Sequence, residues 1–154
     1  MSEREQKLIA LGYPFERTTP EGKLVDAVAI LGSLVYASGQ VPFDGDALVS
    51  KGKVPSEVGV DDATRAAALC AANVLRAVRR HVGSLEAIER VVRITGYVNS
   101  DPEFTGQHLV INGASQLVRE VFGEAGRHAR TALGMAQLPL GASVEVEMIL
   151  ELKR

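Results

Sequence analysis

A chain of 154 residues fills one folded domain and is long enough to bury a real core. Its 46% apolar and 23% charged residues have the balance of a globular protein, not a disordered one. The formal net charge of −2 supplies no global positive field for a polyanion, so nucleic acid is not an expected partner. One local basic cluster, Arg76, Arg79, Arg80 and His81, reads as the solvated C-terminal end of a helix, where cations complement the macrodipole. A single cysteine, Cys70, excludes an intrachain disulfide. No apolar run approaches the roughly 18 residues that cross a bilayer, and the opening MSEREQKLIALGYPF lacks the uninterrupted apolar stretch of a secretory leader. The expectation is a cytoplasmic protein without membrane contact.

In chain order, residues 2–11 form a short helix closed by Gly12 and stopped by Pro14. Pro20 and Gly22 turn the chain into a strand over 23–30, and Gly32-Ser33 turns it again into a second strand over 34–40, giving a hairpin. Residues 42–59 carry Gly45, Gly52, Pro55 and Gly59 and read as a long surface loop. Asp61-Asp62 then open an alanine-rich helix that Gly83 ends. Ala67, Cys70, Ala71, Val74 and Val78 fall on its apolar face, and Asp62, Arg65, Asn73, Arg76 and Arg80 on the other. A strand over 88–98 and a second helix near 105–122 follow, the helix weakened at Gly106 and Gly113 by about 1 kcal/mol each relative to alanine. Residues 130–137 and 143–152 read as a closing β-hairpin around Leu138-Pro139-Leu140-Gly141, with Val144, Val146 and Met148 alternating against Glu145, Glu147 and Ile149.

The order β-β-α-β-α-β-β has crossovers long enough for parallel pairing, and its economical packing is an α+β fold with two helices on one face of a mixed sheet. The other sheet face then has no cover from within the chain, which argues for oligomerisation. Residues 1–154 are expected to form one domain, with 1–20 as an N-terminal extension.

No metal-ligand spacing, nucleophile elbow, phosphate loop or dinucleotide fingerprint occurs. His81, His108 and His128 are scattered, and Cys70 lies on an apolar helix face, where cysteine is commonly a small core residue. Arg130 stands out as a cation leading into an apolar strand. A planar, permanently charged fork there suits two-point binding of a carboxylate. The plainer alternative is a surface arginine paired with Glu145 or Glu147 across the hairpin. Those two glutamates alternate with the apolar set, which also describes the wet side of an ordinary strand.

Two motifs carry a resemblance. Tyr36-Ala37-Ser38-Gly39-Gln40-Val41-Pro42 is similar to the Y-x-S-G-Q-[IV]-P stretch of the RidA/YjgF family, and the run from Arg130 through Leu138-Pro139 to Val144-Glu145-Val146-Glu147 resembles its C-terminal signature. The likeness spans about residues 23–153. It implies a chorismate-mutase-like homotrimer with clefts between subunits. It also implies a cofactor-free hydrolase that converts reactive 2-imino acids to 2-oxo acids and ammonia. Carried over by position, Arg130 holds the substrate carboxylate and Ser38 and Gly39 line the pocket. Glu145 orients or deprotonates water, helped by the backbone carbonyl near Ala132, and Asn112 is the pocket asparagine. Family deaminases carry an aromatic where Leu24 and Val25 stand, and often a cysteine where Ala132 stands. With the N-terminal extension and the long 42–59 loop, these departures mark a divergent branch. They also motivate a second reading, a non-catalytic trimer that binds a small carboxylate. The ribonuclease label attached to parts of the family is opposed by the acidic balance and the lack of paired histidines.

Overall fold

The structure, a computed structural model, describes residues 1–16 and 24–154. Helix α1 (Glu3–Ala10) begins in a capping box: the Ser2 hydroxyl accepts from the Glu5 N–H, and the Glu5 carboxylate accepts from the Ser2 N–H at 2.9 Å. That carboxylate is buried, where it also accepts from the Leu85 N–H at 3.2 Å and meets Arg79 at 3.5 Å. With Leu8 fully buried as well, α1 is fastened to the body.

Strands β1 (Val28–Leu31) and β2 (Leu34–Gln40) form the expected hairpin, with Leu31 opposite Leu34. The first strand starts later than the sequence suggests, and the expected turn at Pro20 and Gly22, with Lys23, lies outside the described residues. Residues 42–59 hold more than a surface loop: β3 (Phe43–Asp44) and β4 (Ala47–Leu48) pair within them, and Pro42 and Val54 are buried. Then come α2 (Val60–Val82), β5 (Ile88–Asn99), α3 (Gln107–Phe122), β6 (Ala129–Met135) and β7 (Val144–Leu152).

The five-stranded sheet runs β1-β2-β7-β5-β6. Only β5 and β6 are parallel, joined through α3, as a helical crossover requires. The expected hairpin between β6 and β7 therefore does not form. Its two strands lie on either edge of β5, whose twelve residues accept both partners. Local alternation defines each strand but says nothing about which neighbour it takes.

Helices α2 and α3 cover one sheet face, burying Ala67, Cys70, Val74, Val110, Ile111 and Val118 against Val35, Ile94, Val146 and Leu150. Gly106 precedes α3 as its cap residue, and Gly113 serves a packing role. A β-carbon at residue 113 would sit 2.0 Å from the Thr64 carbonyl oxygen of α2, so glycine is what lets the two helices close.

The hydrophilic face read for α2 is corrected at two positions. Asn73 and Arg76 are buried, and they bond to backbone that wraps over the helix. The Asn73 amide donates to Val41 O at 3.2 Å and Phe43 O at 2.9 Å; Arg76 donates to Asn73 Oδ1 at 2.7 Å and to Pro14 O at 2.9 Å. The pair thus ties the N-terminal arm and the 41–43 segment to α2. Nor is Arg79 simply solvated, since its guanidinium also stacks 4.9 Å over the Phe15 ring.

On the opposite sheet face, Leu31, Tyr36 and Leu133 are exposed beside half-buried Arg93, Tyr97, Glu145, Glu147 and Ile149. Among the described residues no element covers this face.

Candidate functional site

Arg130 sits on the edge strand β6 opposite Ile94, a core residue, so its side chain leaves the sheet on the helix side. There α3 presents three acceptors spaced three and four residues apart, which is one helix face. Arg130 Nη1 donates to Asn112 Oδ1 at 2.9 Å and to Ser115 Oγ at 3.1 Å, and Nη2 donates to His108 O at 3.3 Å. Three of five guanidinium N–H donors are thereby used. Among the described residues Nε–H and one Nη2–H take no partner, two donors on nitrogens of one guanidinium that suit a carboxylate.

Behind this arginine lies a pair that sequence spacing did not single out, Ser115 and His128. His128 Nδ1 lies 2.7 Å from Gly126 O, a carbonyl that can only accept, so the neutral ring carries its proton on Nδ1. Its Nε2 then accepts from the Ser115 hydroxyl at 2.9 Å, and that hydroxyl oxygen accepts from Arg130. Burial pushes the His128 pKa down, and the Arg130 and Arg119 charges push the same way against the Gly126 carbonyl. The available signals were the spacing of Ser115 three residues after Asn112 and of His128 two before Arg130.

Glu145 belongs to the other sheet face. It pairs in register with Tyr97 between buried Val144 and Val146, and its carboxylate lies against Gly39, where a β-carbon would come within 2.3 Å of Oε1. The irregularity in β2 between Ala37 and Gln40 creates this seat. Half-burial raises the Glu145 pKa, and Glu147 raises it further. Glu147 in turn accepts from the Tyr97 hydroxyl at 3.0 Å, while Arg93 donates to Thr131 Oγ1 at 2.6 Å. Beside Gly39, the Ser38 hydroxyl donates to Asp26 O at 2.7 Å. Ala132, opposite Gly96, faces the helices as Arg130 does and packs against the core.

The predicted residues therefore divide. Arg130, Asn112 and Ala132 lie on the helix side, while Glu145 and Gly39 meet on the open face with Ser38 next to them. No pairing of Arg130 with Glu145 or Glu147 occurs, because β5 separates their strands and the register sends the side chains to opposite faces. Cys70 is fully buried, its thiol 3.7 Å from Val144 O and its pKa pushed well up by that burial, which suits a packing role. Clefts of ≈ 500 Å³ beside Tyr13, Lys51 and Arg65 and of ≈ 520 Å³ beside Lys53, Ser100 and Gln107 contain none of the predicted site residues.

The sequence pattern of the YjgF/chorismate mutase-like, candidate endoribonuclease family matches residues 5–152. The chain belongs to this family. Protein TCP17 of Trypanosoma cruzi is 43% identical over 122 residues, 79% of this chain and 76% of TCP17. Among solved structures, the Agrobacterium tumefaciens protein Atu1372, of unknown function, is 45% identical with a TM-score of 0.90, covering 97% of this chain and 92% of its own. A candidate endoribonuclease from Shewanella oneidensis MR-1 is 27% identical with a TM-score of 0.92, covering 98% and 100%. Escherichia coli TdcF, solved with bound serine, shares the fold at 19% identity and a TM-score of 0.60, covering 90% and 95%. The family match runs from Glu5 in α1 through the 42–59 segment to Leu152.

Proposed function

We propose that this YjgF-family protein hydrolyses small 2-imino acids to 2-oxo acids and ammonia, at sites formed where copies of the chain meet in a homotrimer. The observation that carries the reading is the Glu145 carboxylate, half-buried on Gly39 with a raised pKa and facing a sheet surface that no element covers among the described residues. Arg130 supplies the complementary half on the outer strand of the same sheet. Because the two project from opposite faces, a second copy is needed to set Arg130 of one subunit against Glu145 of its neighbour. The exposed Leu31, Tyr36 and Leu133 supply apolar surface for that contact. TdcF bound to serine is in keeping with a fold that receives a small amino-acid-like carboxylate.

In this reading the two remaining Arg130 donors hold the substrate carboxylate, and Asn112 and Ser115 fix the guanidinium plane. Glu145 takes a proton from water as the oxygen adds to C2 of the protonated imine. Glu145 returns that proton to nitrogen and then takes the proton of the new hydroxyl as the C–N bond breaks, giving the 2-oxo acid and ammonia, which leaves as ammonium once Glu145 hands it that proton. An iminium carbon is already electrophilic, so alignment and a base are the main requirements. Ser38, Gly39 and the backbone near Ala132 line the path of the water. No cofactor takes part.

A specific observation favours the alternative, a carboxylate-binding trimer without turnover. Leu24 and Val25 stand where family deaminases carry an aromatic, and they are 99% and 68% exposed. One experiment decides between the two. Amino acid oxidase generates several imines, semicarbazide traps what survives, and wild type is compared with Arg130→Ala. Deaminase activity lowers semicarbazone with wild type, and the variant loses about 100-fold or more. Unchanged imine lifetimes with wild type, together with measurable 2-oxo acid binding, would replace the first reading with the second.

A further inference from the structure

The back of the Arg130 network opens on its own cleft. This ≈ 350 Å³ space is lined by Ser115 and Arg119 from α3 and by Arg127 and His128 from the segment that enters β6. Glu124 lies between the two arginines, its Oε2 3.0 Å from Arg127 Nε and its Oε1 3.5 Å from Arg119 Nη2. One carboxylate between two guanidiniums leaves a net positive charge, and Arg130, bonded to the far side of Ser115, adds another. In a chain with a formal charge of −2, this is a local concentration of cations.

The helix macrodipole accounts for a cation such as Arg119 near the end of α3. It does not call for Arg127 and His128, which come from the next segment and reach the same space. The Glu124 ion pairs are largely exposed and therefore weak. An entering anion can take the place of that carboxylate between guanidiniums that are already convergent. Two forks suit a tetrahedral dianion, each reaching two of its oxygens, whereas one fork suffices for a carboxylate. The space is at the small end for ligand pockets, with room for one phosphate and a few more atoms.

We propose that this cleft binds the phosphate group of a small phosphate monoester, with Arg119 and Arg127 gripping its oxygens and the Ser115–His128 pair forming the inner wall. The proposal is independent of imine hydrolysis. His128 is its built-in reporter, because a dianion beside the ring favours the imidazolium against the burial and arginine charges that now oppose it.

The test follows the His128 ring by NMR in the full chain, assigned with His128→Gln, between pH 5 and 8. Sodium sulfate, a dianion throughout that range, is compared with sodium chloride at equal ionic strength. Sulfate should raise the apparent His128 pKa by about one unit, equivalent to about tenfold tighter binding to the protonated form, and should leave His81 unmoved. The exposed pair Arg119→Ala and Arg127→Ala together should abolish the shift. Glycerol phosphate and inorganic phosphate should displace sulfate, while an oligoribonucleotide without terminal phosphates should not. Equal His128 titrations in the two salts would overturn the proposal, as would a shift that survives loss of both arginines. Displacement by the oligoribonucleotide alone would instead assign the cleft to phosphodiester backbone.

Discussion

Gly39→Ala separates the seat of Glu145 from the stability of the fold. Gly39 has no positive φ, so alanine adopts its backbone without left-handed strain. The new β-carbon would lie 2.3 Å from Glu145 Oε1 and 3.0 Å from Cδ, where ordinary contact begins near 3.4 Å, so the carboxylate must withdraw by about 1 Å. It is the far end of a flexible side chain on a half-exposed face, and the loss of glycine's unfolded-state freedom offsets part of the clash. Net stability should change by less than about 1 kcal/mol, or roughly 2–4 °C in Tm for a chain of this size. A base displaced by about 1 Å from its water should cost about 100-fold in rate. Imine trapping reads the rate, urea unfolding reads the stability, and NMR reads the Glu145 carboxyl, whose raised pKa should fall toward the ordinary value as the group moves into solvent. A well-folded variant with wild-type activity and an unshifted Glu145 pKa would refute both the seat and the role of the base.

Gly113→Ala should do the reverse. Its β-carbon meets the Thr64 backbone at 2.0 Å, which neither helix can relieve by a side-chain rotation, so a loss of about 2 kcal/mol is expected in urea unfolding despite alanine's better helix propensity. Glu145→Gln should raise stability at pH 7. A carboxyl whose folded pKa lies above its unfolded value loses stability as pH rises through that interval, so the advantage of the variant should vanish below about pH 4, where both forms are neutral. His128 works with the opposite sign. Its folded pKa is depressed, so native stability should fall as pH drops from 7 through the unfolded value of 6.5, and His128→Gln should flatten that slope in pH-dependent unfolding.

Much of the fold was legible locally. The alternation in residues 34–40 and 144–152 and the small-residue stripe of α2 are properties of the backbone period and appear wherever one face is buried. Asn73 and Arg76 were not legible as buried residues, because their partners are the carbonyls of Pro14, Val41 and Phe43, between 30 and 62 residues away. Propensity cannot count acceptors that arrive from elsewhere in the chain.

The candidate site divides along the same line. The chain's own residues, Tyr36 to Pro42 and Arg130 to Glu147, determined the family, the strand that carries Arg130 and the alternation that sets Glu145 apart from Val144 and Val146. Only the tertiary structure decided that β5 lies between β6 and β7, pairing Arg130 with Ile94 and Glu145 with Tyr97. Period-2 alternation fixes which residues of one strand share a face. The parity between two strands depends on register against a third, set by packing beneath α2 and α3, and that parity places the arginine and the glutamate on opposite sides of the sheet.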